Sequence, residues 1–152
     1  MSKLTQLALA VVAAFTLAFA APVQQAVAKD KIHHVAFHVN QKDKAVMNLA
    51  LNNVQNLINY YKKKGEKIVV EVVTYGPGLH MLRADTSPVK DRIASISLTY
   101  PSVRFSACGN THAKMAKAAG KPIKLVSEAT RVPSGVVRLV ELQEQGYRYI
   151  RP

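Results

Sequence analysis

The sequence predicts an α/β protein: a mostly parallel five-stranded sheet with helices on both faces. Three observations carry this. Short apolar runs of strand character alternate with longer segments of helical periodicity. The connections between them are short, the mark of βαβ units. The stretch from Lys29 to the C-terminus has the length of one domain, and 49 % of the chain is apolar, enough for one core.

Residues 1–28 stand outside that pattern. A basic start at Lys3 precedes an apolar run over residues 7–21. Pro22 breaks the run, and Ala26-Val27-Ala28 supplies the small-x-small pattern of a cleavage site. The run is short for a spanning helix, which needs roughly 20 residues. The expectation is a signal peptide, a domain over residues 29–152, a periplasmic location and no stable membrane insertion after processing.

The elements follow in order. Residues 32–39 form a strand with Val35, Phe37 and Val39 on one face and His34 and His38 on the other. Residues 40–64 form a long helix, with Val46, Leu49, Ala50, Leu57, Ile58 and Tyr61 on one stripe and Gly65 as its stop. Residues 68–73 are a largely β-branched run, as in a strand covered on both faces. Tyr75-Gly76-Pro77-Gly78 is a loop. Ser87-Pro88 opens a helix that runs towards Thr99. Residues 103–107 are the third strand, and residues 111–119 a helix closed by Gly120. Residues 121–130 carry no clear pattern. A short strand follows at 130–132, then a helix from Ser134-Gly135 to Gln145, and a last strand over 147–151.

In parallel sheets, ligands gather beyond the carboxyl ends of the strands. Three segments end there: Val39-Asn40-Gln41, Thr74-Tyr75-Gly76 and Ala107-Cys108-Gly109. Cys108 is the one cysteine of the chain. In an oxidising compartment it has no intramolecular partner, so it is a buried filler, an intermolecular link or a chemically used sulfur. Gly109-Asn110-Thr111 opens the next helix, with Asn110 or Thr111 as its cap. The unpaired N–H groups there favour a thiolate or bound anion. Arg104, His112 and Lys114 are near in sequence and suit an anion or a proton transfer.

With these residues in view, the chain resembles the DsrE/DsrF-like family. The resemblance rests on Leu51-Asn52-Asn53-Val54-Gln55-Asn56-Leu57, Val73-Thr74-Tyr75-Gly76-Pro77-Gly78-Leu79 and the stretch from Val103 through Cys108 to Thr111. Val132-Pro133-Ser134-Gly135-Val136-Val137 and the Gly146-Tyr147-Arg148-Tyr149-Ile150-Arg151-Pro152 ending complete it. It implies a flavodoxin-like three-layer sandwich that assembles as a homotrimer or homohexamer. It also implies a persulfide held on Cys108 in sulfur trafficking or oxidation. Asn40, Tyr75, Gly76, Arg104, Gly109, Asn110 and Thr111 are the expected substrate-binding residues. No cofactor is expected. Since no second cysteine resolves the persulfide, the partner is a sulfur donor or acceptor protein or a small sulfane-sulfur compound.

A different class stays beside this one: a non-catalytic oligomer that binds a small molecule or a soft metal. His38 and His80 could join Cys108 around copper or zinc. The spacings lack a recognised metal motif, so no metal ligand is assigned. Removing residues 1–28 takes away one lysine and no acid. The remainder has 20 basic and 9 acidic residues, formally +11. That field attracts anions. Nucleic acid is not expected, because the basic residues are scattered and not interleaved with aromatics.

Overall fold

The computed structural model describes residues 31–152. The signal peptide read over residues 1–28 lies outside them. The strands are β1 (Ile32–Val39), β2 (Lys67–Thr74), β3 (Val103–Cys108), β4 (Ala129–Val132) and β5 (Arg148–Ile150). All neighbours pair parallel, in the order β4-β3-β2-β1-β5. The helices are α1 (Lys44–Lys63), α2 (Lys90–Thr99), α3 (Gly109–Ala119) and α4 (Gly135–Glu144), with a 3-10 segment at Gly76–Leu82. This is a flavodoxin-like three-layer α/β sandwich, except that β5 lies beside β1 where flavodoxin has its second strand.

Strand order dictates the layers. From β1 to β4 the chain steps across the sheet in one direction, and right-handed crossovers then leave α1, α2 and α3 on one face. The return from β4 to β5 reverses direction and leaves α4 on the other. The cores agree. Val35, Phe37, Val39, Val70, Val72 and Phe105 pack with Met47, Leu51 and Val54 of α1 and Ile93 and Ile96 of α2. Ala36 and Val73 pack with Leu139 and Leu142 of α4.

Three local expectations are corrected, and the segment that carried no clear pattern takes a definite path. Helix α1 starts at Lys44, not residue 40, because the Asp43 carboxylate accepts from the N–H groups of Ala45 (2.6 Å) and Val46 (3.1 Å). Its inward stripe is Met47, Ala50, Leu51, Val54 and Ile58, while Leu49 is 47 % exposed. Helix α3 follows β3 without a loop, and its N-cap is Cys108 itself, not Asn110 or Thr111. Residues 121–130 are a strap. Ala84 N–H donates to the Lys124 carbonyl and Val126 N–H to the Leu82 carbonyl, both at 2.9 Å, and Ile123 and Val126 are buried. Among the described residues no helix is long and apolar enough to cross a membrane.

Candidate functional site

The carboxyl ends of β1, β2 and β3 do meet. Gly78 is where they touch: a Cβ there would lie 2.1 Å from the Val39 carbonyl oxygen and 2.7 Å from the Asn40 Cα. Only glycine fits so close an approach. Gly76, at φ +53, turns its N–H onto the Thr111 hydroxyl oxygen at 3.0 Å. That fastens the β2 loop to the first turn of α3. Asn110 N–H donates to the Pro133 carbonyl at 3.2 Å, which fastens α3 to the β4–α4 turn.

Cys108 sits where those turns meet. Its Sγ accepts from the Thr111 N–H at 3.5 Å. Burial pushes the thiol up. The Thr111 hydroxyl and the N–H groups of Gly135, Thr111 and Asn110 outweigh that, so the thiol is held below its ordinary value. Because the Thr111 oxygen already accepts from Gly76, its own proton is free to face the sulfur. The first turn of α3 donates to the sulfur, and the first residue of α4 packs against the same cysteine. Gly135 is required by this packing, since a Cβ there would lie 3.0 Å from Tyr75 and 3.1 Å from the Cys108 Cβ. Cys108 is only 4 % exposed. The sulfur lies under the surface, beside the Thr111 N–H and not in hydrocarbon alone.

Of the residues expected at this site, Tyr75, Gly76, Asn110 and Thr111 lie around the sulfur. Gly109 packs against the β4–α4 turn, where a Cβ would meet the Val132 carbonyl oxygen at 2.9 Å. Asn40 is half-buried against Gly78, on the far side of that loop. Arg104 is corrected. It shares the Cys108 face of β3 but lies four residues back, roughly 13 Å along the strand. His112 is corrected too: its Nε2 pairs with the Ile123 carbonyl at 2.7 Å and holds the strap. Lys114 lines a second, shallower basic cleft with Lys42, His80 and Thr111.

Sequence reasoning missed the cleft in which Arg104 stands. It has a volume of about 400 Å³ and lies between α4 and the β3–β4 edge. Its floor is Glu71, 2 % exposed. Arg138 of α4 donates to both Glu71 oxygens, at 2.7 and 2.8 Å, and the Ser106 hydroxyl donates at 2.6 Å. Burial pushes the Glu71 carboxyl up, yet Arg138 and Ser106 outweigh it and hold the carboxyl below its ordinary range. Burial within a largely β-branched run was the available signal: a lone Glu in a two-face-covered strand needs a cation.

His38 was also undervalued. Its Nδ1 pairs with the Tyr149 hydroxyl at 2.6 Å, its ring stacks on Tyr75, and its buried Nε2 has no partner among the described residues. This group stands where strand order reverses, between β1 and β5. Cys108 stands two strands away. His38 and His80 do not join Cys108: among the described residues no three of His, Cys, Asp and Glu come together as a metal site.

A solved structure shares this arrangement: the protein of unknown function MTH1491 from Methanobacterium thermoautotrophicum. It is 35 % identical, superposes with a TM-score of 0.66, and the match covers 79 % of this chain and 99 % of that one. The chain belongs to the same family as MTH1491. The MTH1491 likeness extends over the whole of that protein, so the sandwich is the shared unit. No protein-family model and no curated protein matches the chain.

Proposed function

We propose that this protein is a sulfur carrier of sulfurtransferase type, holding a persulfide on Cys108. One observation supports this above the others: the Cys108 sulfur caps α3, accepting from the Thr111 N–H at 3.5 Å, with the first residue of α4, Gly135, packed against the cysteine. Such a cradle favours an anion on that atom. It suits a thiolate as attacking group and the negatively charged Cys–S–S⁻ as its product. In the reaction, the thiolate attacks the outer sulfur of a donor persulfide, and the donor leaves as a thiolate. An acceptor thiol later repeats the step on Cys108. No second cysteine exists in the chain, so the sulfur passes to another molecule. In keeping with the DsrE/DsrF-like resemblance, the carrier works as a homotrimer or homohexamer in the periplasm.

The test is intact-mass spectrometry after exposure to polysulfide. The expected result is a gain of one sulfur atom, absent in Cys108→Ser and smaller in Thr111→Val. No gain in the parent protein would sink the carrier reading.

A second reading is favoured by the 4 % exposure of Cys108. Here the sulfur only caps α3, and the protein is a non-catalytic, ligand-binding oligomer. No sulfur on Cys108 after polysulfide, together with no alkylation of the folded protein at any pH, would select it.

A further inference from the structure

We propose that the cleft between α4 and the β3–β4 edge binds a small organic thiol compound of di- or tripeptide size, held through a free carboxylate by Arg104. The inference deepens the carrier reading, on which the sulfur end of the ligand rests. The carboxylate end rests on the cleft alone.

Size comes first. About 400 Å³ lies within the range of small-molecule sites. A water-sized group occupies roughly 30 Å³, so an inorganic sulfur anion would leave most of the cleft unfilled. Val132, Pro133 and Val137 give it apolar walls.

The charges then separate into committed and free. Arg138 is spent on Glu71, with a longer 3.4 Å contact to Glu141. Ser106 is likewise spent on Glu71. Arg104 makes no hydrogen bond or ion pair among the described residues, although its charge acts on Glu71 from a distance, and it lines the cleft from an exposed position. A guanidinium presents a planar fork that matches a carboxylate. On the α4 wall, Glu141 is about half exposed and has only that long contact. It suits the ammonium of an amino-acid-derived ligand. The Ser134 hydroxyl makes no capping bond and is available to a ligand.

Length supplies the sulfur end. Arg104, Ser106 and Cys108 share one face of β3, so Ser106 on the cleft wall is roughly 7 Å from Cys108 and Arg104 roughly 13 Å from it. The Pro133–Ser134 rim leads into Gly135, which packs against Cys108. A tripeptide spans roughly 10 Å when extended. With its carboxylate met by the Arg104 side chain inside the cleft, such a ligand can set its thiol at the Ser106–Ser134 end, the end nearer Cys108, which does not itself line the cleft. Thiosulfate cannot reach both. When such a ligand arrives as R–S–SH, the Cys108 thiolate attacks its outer sulfur. The Sγ–S bond forms and the S–S bond of the ligand breaks, releasing R–S⁻. The proton passes to the leaving thiolate, giving RSH and the Cys108 persulfide anion. No oxidant is required.

Calorimetric titration with glutathione, S-methylglutathione and thiosulfate tests the assignment. Both tripeptides are expected to bind, thiosulfate far more weakly. Arg104→Ala, at an exposed position, should keep its melting temperature and weaken both tripeptides roughly tenfold or more. Cys108→Ser should bind them unchanged. Absence of tripeptide binding, binding indifferent to Arg104→Ala, or equal binding of thiosulfate overturns the proposal. If glutathione binds through Arg104 but glutathione persulfide leaves no sulfur on Cys108, the cleft assignment stands and the carrier reading falls.

Discussion

At the scale of the residue, the Cys108 sulfur is pulled both ways. Burial favours the neutral thiol, and four donors favour the thiolate. The donors prevail, so the thiol is held below its ordinary value. Thiolate is the reactive form. The alkylation rate of the folded protein is therefore expected to reach half its plateau at a lower pH than that of an unstructured peptide thiol. The plateau itself should be low, because the atom is buried. Thr111→Val removes the hydroxyl donor and keeps the N–H, so the midpoint should move up. A pH series with iodoacetamide reads both. An unchanged midpoint in Thr111→Val would mean that the hydroxyl does not face the sulfur. Cysteine alone in the sequence pointed to the position, and the glycine after it pointed to the helix start. Nothing local announced Gly135, because it packs against Cys108 only after the whole β4 excursion.

At the scale of the element, α4 is held to the sheet at two levels. Leu139 and Leu142 meet Ala36 and Val73, and Arg138 clamps Glu71. Glu71→Gln leaves a partly buried guanidinium without its counter-charge. The loss should be about 3 kcal/mol in urea unfolding, the low end for breaking a buried pair, since Arg138 keeps some water. Asp43→Ala should cost only about 1 kcal/mol, since it removes one exposed cap from α1. These two carboxylates also mark what the sequence could and could not disclose. The five strands and four helices were legible within a few residues, because period and punctuation are local. Asp43 is a cap signal that a longer apolar pattern obscured, and α1 was read as starting too early. The stripe on α1 was rotated for a related reason: Leu49 and Met47 fit a three-and-four spacing equally well, and only the position of the sheet chooses. Glu71 was hidden among valines, and its partner lies on the opposite side of the sequence.

At the scale of the whole molecule, coverage of the sheet is uneven. Three helices pack on one face and α4 alone on the other, as the handedness of the crossovers requires. The thinly covered face is the one that carries His38, Glu71, Ser106 and Cys108. Its polar groups make the fold sensitive to acid in two steps. His38 is held below 6.5, first by burial and then by Arg151. Glu71 is held below 4.5, with Arg138 and Ser106 outweighing burial. Both folded values lie under the unfolded ones, so both contributions are full above the unfolded value. Each is lost as pH falls through the interval down to the folded value. The first loss begins near 6.5 and the second near 4.5. Replacing His38 by Gln removes a titrating group and should flatten stability just below pH 6.5 while the steeper acid limb remains. Glu71→Gln should do the reverse, lowering stability near neutrality and blunting the limb below 4.5. Urea midpoints at intervals from pH 8 to 3 distinguish them. If the two variants lose the same part of the profile, the buried face does not titrate as two separate groups. The uneven coverage would then not be the source of the acid response.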